Sequence, residues 1–197
     1  MATTLTPFAT VADLSAALGI TAPVDGSPAY LQMADALADA SDDLRDIIGQ
    51  AINQGTSTVK VMASPGGLVR LPAVPVVEVE SVTADGVAVE YELIDAATLS
   101  VPVCRSVQVT VTYTHGWAVV PGSLRKWCKV LAAAAIAAAK SGNLGLAGGL
   151  SSVGVDDGRV TWATGAGENG GGVSLPDAVA LRLKATYGSP SITVEHR

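Results

Sequence analysis

Hydrophobic positions recur at two different periods along this chain, and the change of period divides it into segments. Val11, Leu14, Ala17 and Leu18 step by threes and fours and stop at Gly19. That spacing predicts a short helix, followed by a linker through Pro23, Gly26 and Pro28. From Ala29 the helical pattern strengthens: Leu37, Ser41, Leu44, Ile48, Ala51 and Ile52 form one stripe, with Asp35, Asp39, Asp42, Asp43 and Asp46 on the opposite face. Such a stripe predicts an amphipathic helix of about 22 residues ending near Gly55.

The middle of the chain turns to alternation. Val59–Met62, Leu68–Leu71, Val74–Val82, Val87–Leu93 and Val107–Tyr113 are rich in β-branched residues and read as strands. Asp85-Gly86 between two of them is a hairpin signal, because a two-residue turn needs positive φ at both positions. Pro65-Gly66-Gly67 and Pro72–Pro75 mark further turns, and proline in such strands favours a sheet edge. Helix returns with Pro121–Ser123 as start, Leu124–Lys140 as body, Trp127 on the apolar stripe with Leu124 and Leu131, and Gly142 as stop.

Between Gly142 and Gly172 lie 11 of the chain's 21 glycines. Inside this stretch Val153–Val155 and Arg159–Trp162 flank Asp156-Asp157-Gly158, a second hairpin. A last helix is expected over Leu175–Tyr187, with Ser174 as cap, Pro176 in the first turn and Gly188 as stop. Ser189–Arg197 is a short alternating tail. The expected organisation is an N-terminal arm with a short helix (1–27), a main domain (28–188) with a β insertion at about 58–114 and a glycine-rich loop and hairpin at 142–172, and a C-terminal tail (189–197). The fold class is α+β: a helical bundle core of about four helices with an inserted antiparallel β region and an extended tail.

Composition sharpens this picture. Of 197 residues 49% are hydrophobic, yet 32 are alanine and only one, Phe8, is phenylalanine. Alanine buries little area, so the private core is smaller than the apolar fraction implies, and part of the apolar surface is meant for neighbours. Twelve Lys and Arg against 18 Asp and Glu give a net charge of −6 and a pI near 4.7. A protein of that charge is a poor general coat for nucleic acid. Its hydrophobic fraction excludes a disordered acidic tail. The longest apolar run, Val130–Ala139, is about half of a membrane span, and Met1–Leu14 carries neither a basic nor an apolar signal region. Cys104 and Cys128 make no disulfide framework and read as small buried thiols of a reducing cytoplasm.

Candidate chemistry is sparse. His115 and His196 have no nucleophile at motif spacing, and His115 reads as a turn or core residue. Gly165–Gly170 matches G-x-G-x-x-G but lacks a surrounding βαβ unit, so no dinucleotide site is expected. No catalytic, metal or cofactor site is expected, and no cofactor. The aspartate stripe reads most simply as a solvated face. A richer reading sets it against Arg125, Lys126 and Lys129, since no Lys or Arg precedes Arg45: acidic and basic faces would attract within a subunit or between neighbours. Trp117, at the strand-to-helix corner, is expected to anchor that corner.

Taken together, several phrases carry a family resemblance. They are Leu71-Pro-Ala-Val-Pro-Val-Val-Glu-Val-Glu-Ser-Val82 with its Asp-Gly hairpin, Val109-Thr-Val-Thr-Tyr-Thr-His-Gly-Trp117, and Val120-Pro-Gly-Ser-Leu124 before an alanine-rich helix. Ser152–Val155, Val160-Thr-Trp162 and Ala185-Thr-Tyr187 complete the order. Over roughly residues 28 to 190 the chain resembles the head-to-tail connector (adaptor, or head-completion) proteins of tailed bacteriophages, especially those of actinobacteria.

The resemblance implies a non-enzymatic virion protein, assembled in the host cytoplasm, that forms a ring of twelve subunits at the neck. That ring sits under the portal protein, receives the stopper or tail, and extends the channel through which genomic DNA passes without specific binding; no membrane is involved. On this reading Ser191, Ile192, Thr193, Val194, Glu195, His196 and Arg197 form a portal-binding tail by strand addition. Asp39, Asp43, Arg125 and Lys129 are subunit-interface candidates, and Asp42, Asp46, Asp156 and Asp157 are channel-lining candidates that repel phosphate. The rival readings are another virion joint, a stopper or tail terminator, and a cytoplasmic ligand-binding or enzyme domain.

Overall fold

A computed structural model of the protein describes residues 5–103, 105–140, 152–155, 158–161 and 175–188. They form an α+β fold in two compact units. The helical unit takes residues up to Ile48 and Val120–Thr186; the sheet unit takes Gly49–Val119 with Tyr187.

Helix α1 (Val11–Ala17) opens on a capping box. The Thr10 hydroxyl accepts from the Asp13 amide at 3.1 Å, and the Asp13 carboxylate accepts from the Thr10 amide at 3.0 Å, satisfying donors that the first turn leaves free. Gly19, at φ +67°, closes it. Helix α2 (Pro28–Ile48) starts with proline at its first position and Ser27 accepting from the Tyr30 amide at 3.2 Å. It stops at Gly49, whose φ of +79° no helix continues through. The expected end near Gly55 is therefore too late. Ala51 and Ile52 keep the helical spacing but leave the helix, although Ile52 is still fully buried.

Seven strands follow: β1 (Gly55–Met62), β2 (Leu68–Arg70), β3 (Val76–Ala84), β4 (Val87–Ala88), β5 (Glu92–Asp95), β6 (Thr98–Ser100) and β7 (Gln108–His115). They make two antiparallel sheets, ordered β1-β7-β3-β4 and β2-β6-β5. Strand β7 is central and strictly alternating, with Val109, Val111 and Tyr113 fully buried. Around them gather Val69, Leu71, Val82, Leu99 and Val101. The Tyr113 hydroxyl accepts from the Ala73 amide at 3.2 Å, so a large ring is buried with its polar end satisfied.

Asp85 and Gly86 have φ of +50° and +82°, as the hairpin requires. The single strand expected over Val87–Leu93 is instead two, β4 and β5, in different sheets. Strand β6 is an addition to the expected set. The edge that proline was expected to mark is not found: Pro75 precedes β3, an inner strand with β7 along one side and β4 on the other, and it stands clear of the ladder because it lies before the strand begins.

Helix α3 (Gly122–Lys140) packs against α2, and α1 touches both. Leu124, Cys128 and Leu131 form its core line, while Trp127, expected there, is only half-buried. One position of helical rotation separates Cys128 from Trp127, and the smaller side chain lets α2 approach. Ala132, Ala133 and Ala134 are all buried, and three successive positions cover roughly 200° of the helix circumference. Strands β8 (Ser152–Val155) and β9 (Gly158–Thr161) pair as an antiparallel hairpin touching α3. Helix α4 (Asp177–Tyr187) begins two residues later than expected, the Val179 and Ala180 amides both donating to the Pro176 carbonyl.

Candidate assembly surfaces

The five aspartates of α2 all face outward: Asp35, Asp39, Asp42, Asp43 and Asp46 are exposed. Partial burial, and then the neighbouring charges of Asp39, Asp46 and Asp42, push the Asp43 carboxyl above its ordinary pKa. The single cation of this helix, Arg45, turns inward and is buried. Its guanidinium donates to Asp42 Oδ1 and to the Thr6 carbonyl, each at 2.6 Å, and lies 4.5 Å from the centre of the Phe8 ring. Beside it the Ser41 hydroxyl accepts from the Phe8 amide at 2.9 Å, donates to the Leu37 carbonyl at 2.6 Å and lies 3.3 Å from Cys128 Sγ. The chain before α1, helix α2 and helix α3 are thus pinned together. Cys128 is fully buried, and burial raises its thiol pKa, which disfavours the thiolate.

On α3, Arg125 is exposed and Lys129 half-buried. Their charges are felt by Asp13, whose carboxyl is held low first by its hydrogen bonds to Thr10 and then by Lys129 and Arg125. At Asp43 the charges felt are other carboxylates. Asp156, Asp157, Ser191–Arg197, Cys104, Trp162 and Gly165–Gly170 lie outside the described residues.

The sheet unit carries features of another kind. His115 is buried, its Nε2 lying 2.8 Å from Ser57 Oγ and its Nδ1 without a hydrogen-bond partner among the described residues; burial pushes its pKa down. Next to it, Gly116 takes φ +86°, and a Cβ there would stand 2.7 Å from the Asn53 carbonyl oxygen. This close approach lets Trp117 donate its amide to the Ile52 carbonyl and accept from the Gln54 amide. The Trp117 ring meets Tyr187 edge-on at 5.7 Å, so it anchors the corner as expected.

The outer face of β1 and β7 is a threonine ladder: Thr56 with Thr114 at 2.9 Å and Thr58 with Thr112 at 3.0 Å. Large apolar side chains stand exposed along the strand edges, among them Met62, Leu68, Val87, Tyr91, Leu93 and Ile94. Reading the sequence missed both the ladder and the buried Arg45. The alternation Val109-Thr-Val-Thr-Tyr-Thr signals the first. The second has only a lone arginine and a lone phenylalanine to announce it.

Among the described residues no group of His, Cys, Asp and Glu is placed to hold a metal ion. None of the described helices is long and apolar enough to cross a membrane. No protein-family model matches the chain, and no curated protein matches it in sequence. In fold it is similar to a chain in the solved structure of the neck of an empty GTA particle, computed with C6 symmetry. The likeness covers 100% of this chain and 99% of that one, at 18% identity and a TM-score of 0.56.

Proposed function

We propose that this chain is a structural subunit of the neck of a phage-like particle, without enzymatic activity, forming a ring that joins the capsid portal to the stopper or tail and extends the DNA channel. The observation that carries the reading is the end-to-end likeness to a neck chain, in which neither protein has a large part left over. A six-fold symmetry is compatible with a ring of twelve, the number we adopt. The outward aspartates fit the same reading, because exposed carboxylates on a channel wall keep passing phosphates from sticking.

Within this proposal Asp42, Asp46, Asp156 and Asp157 face the channel. Asp39 and Asp43 of one subunit meet Arg125 and Lys129 of the next. Ser191–Arg197 adds a strand to the portal.

Mixing the purified protein with the portal protein of the same particle tests this, read by negative-stain imaging and native mass spectrometry. A ring of twelve copies seated on the portal is the expected result, and deletion of residues 190–197 should abolish the complex while circular dichroism stays unchanged. Absence of any complex with the full chain overturns the portal-joining role. Capture by the tail tube instead makes the chain a stopper or tail terminator, which would sit in the same neck.

A further inference from the structure

Charge is sorted along the sheet unit. From Gly49 to Val77 the sequence has no carboxylate and two cations, Lys60 and Arg70. From Glu78 to Asp95 it has six carboxylates, Glu78, Glu80, Asp85, Glu90, Glu92 and Asp95, and no cation. The topology turns this order into geometry. Strands β1 and β2 each begin their sheet and touch one another, whereas β4 and β5 each end their sheet and follow one another in the chain. The edge strands β1 and β2 carry Lys60 and Arg70, both exposed, beside exposed Met62 and Leu68. The edge strands β4 and β5, with the residues just before and between them, carry Asp85, Glu90, Glu92 and Asp95, all exposed, around exposed Val87, Tyr91, Leu93 and Ile94. All four residues of β5 are exposed, as befits an edge with backbone groups open to pairing. Across the middle strand, Arg70 and Asp95 both pair with Thr98, and the Asp95 carboxyl is held low mainly by the Ala97 amide, with Arg70 the least of the influences on it.

We infer that these two edges are the two halves of one contact between copies of this chain: the acidic, apolar β4–β5 edge of one subunit docks on the basic, apolar β1–β2 edge of the next. Each edge pairs an apolar strip with charges of one sign, and the signs are opposite. Self-pairing of either edge sets like charges together, which disfavours a two-fold dimer. Head-to-tail pairing satisfies both, and a head-to-tail contact whose rotation closes generates a ring. The inference takes its closed geometry from the ring reading above but names a surface that reading leaves open.

Two full-length variants test it: D85N/E90K/E92K/D95N, whose edges are both basic, and K60E/R70E, whose edges are both acidic. Each is compared with the wild type by sedimentation velocity and native mass spectrometry up to about 100 µM, a range in which contacts of modest affinity register. The wild type is expected to self-associate, and each variant alone to associate at least ~10-fold more weakly. An equimolar mixture should recover association in alternating order, because every contact then joins a basic edge to an acidic one. Misfolded variants would not rescue one another, so recovery also certifies folding. A mixture that fails to recover overturns the pairing of these edges. Association of the wild type that neither variant disturbs overturns the edge contact and leaves the ring reading standing on other surfaces. A wild type that stays monomeric throughout overturns the edges as a self-contact, and the portal experiment then judges the ring reading separately.

Discussion

The helical unit and the sheet unit solve the same packing problem with opposite materials. Among the helices the core sets Leu14, Leu37, Leu44, Ile48 and Leu124 against small Ala40, Ala132, Ala133 and Ala134, and it is laced with polar groups, Ser15, Ser41 and Arg45. In the sheet unit it is made of Val69, Val82, Val101, Val109, Val111, Leu71, Leu99 and Tyr113. Threonines there are kept to the outer face. Helices have no backbone ladder between them, so side chains must set how they dock, and Ser41 and Arg45 do so by gripping Phe8 and Thr6. Strands are placed by main-chain pairing, which releases their polar side chains for the surface.

The largest test of this contrast attacks the backbone of the sheet unit. At Gly67, φ is +76° and a Cβ would stand 2.0 Å from the Val101 carbonyl oxygen, so nothing but glycine fits between β2 and the chain after β6. Gly67→Ala should cost about 4 kcal/mol or more. Amide exchange should quicken across β2 and β6 before it does in α2 and α3; uniform acceleration would show that the two cores stand or fall together.

A smaller effect probes the polar pins of the helices. Ser41→Ala leaves the buried Phe8 amide without its acceptor, and urea unfolding should register a loss of about 1–3 kcal/mol. A neutral result would mean that apolar packing alone sets the docking of these helices.

The smallest is a pH effect carried by His115. Its folded-state pKa lies below 6.5 because it is buried, so the unfolded chain takes up the proton first as pH falls. The stability it contributes is complete above pH 6.5 and is lost as pH drops from there through the folded value. Urea midpoints at about pH 7.5 and 5.5 should show this decline in the wild type and a flatter response in His115→Gln.

What could be read in advance follows from how local each signal is. Asp85-Gly86, the stop at Gly19 and the alternation of Val107–Tyr113 are decided by neighbours in sequence, and the structure has them all. The end of α2 was hidden because Ala51 and Ile52 continue its spacing past Gly49. Division of Val87–Leu93 was hidden because alternation runs on through a segment that changes sheets. Three-residue β6 is too short to carry a pattern. Trp127 and Cys128 differ by one position, and which of them faces α2 is settled by the partner helix. Of the candidate surfaces, the outward aspartates were legible as a periodic face. The polarity of the sheet edges was not, because it appears only once topology makes β1, β2, β4 and β5 the edge strands of their sheets.

The hydrogen bonds of Trp117 to Ile52 and Gln54 close the place where the chain enters and leaves the β region. A loop costs entropy according to how far apart its ends are free to wander, and here they are tied. The whole of β1 to β7 therefore begins and ends at one point of the chain, as a turn does. Strands beyond that clasp can be lengthened or decorated without drawing its two ends apart.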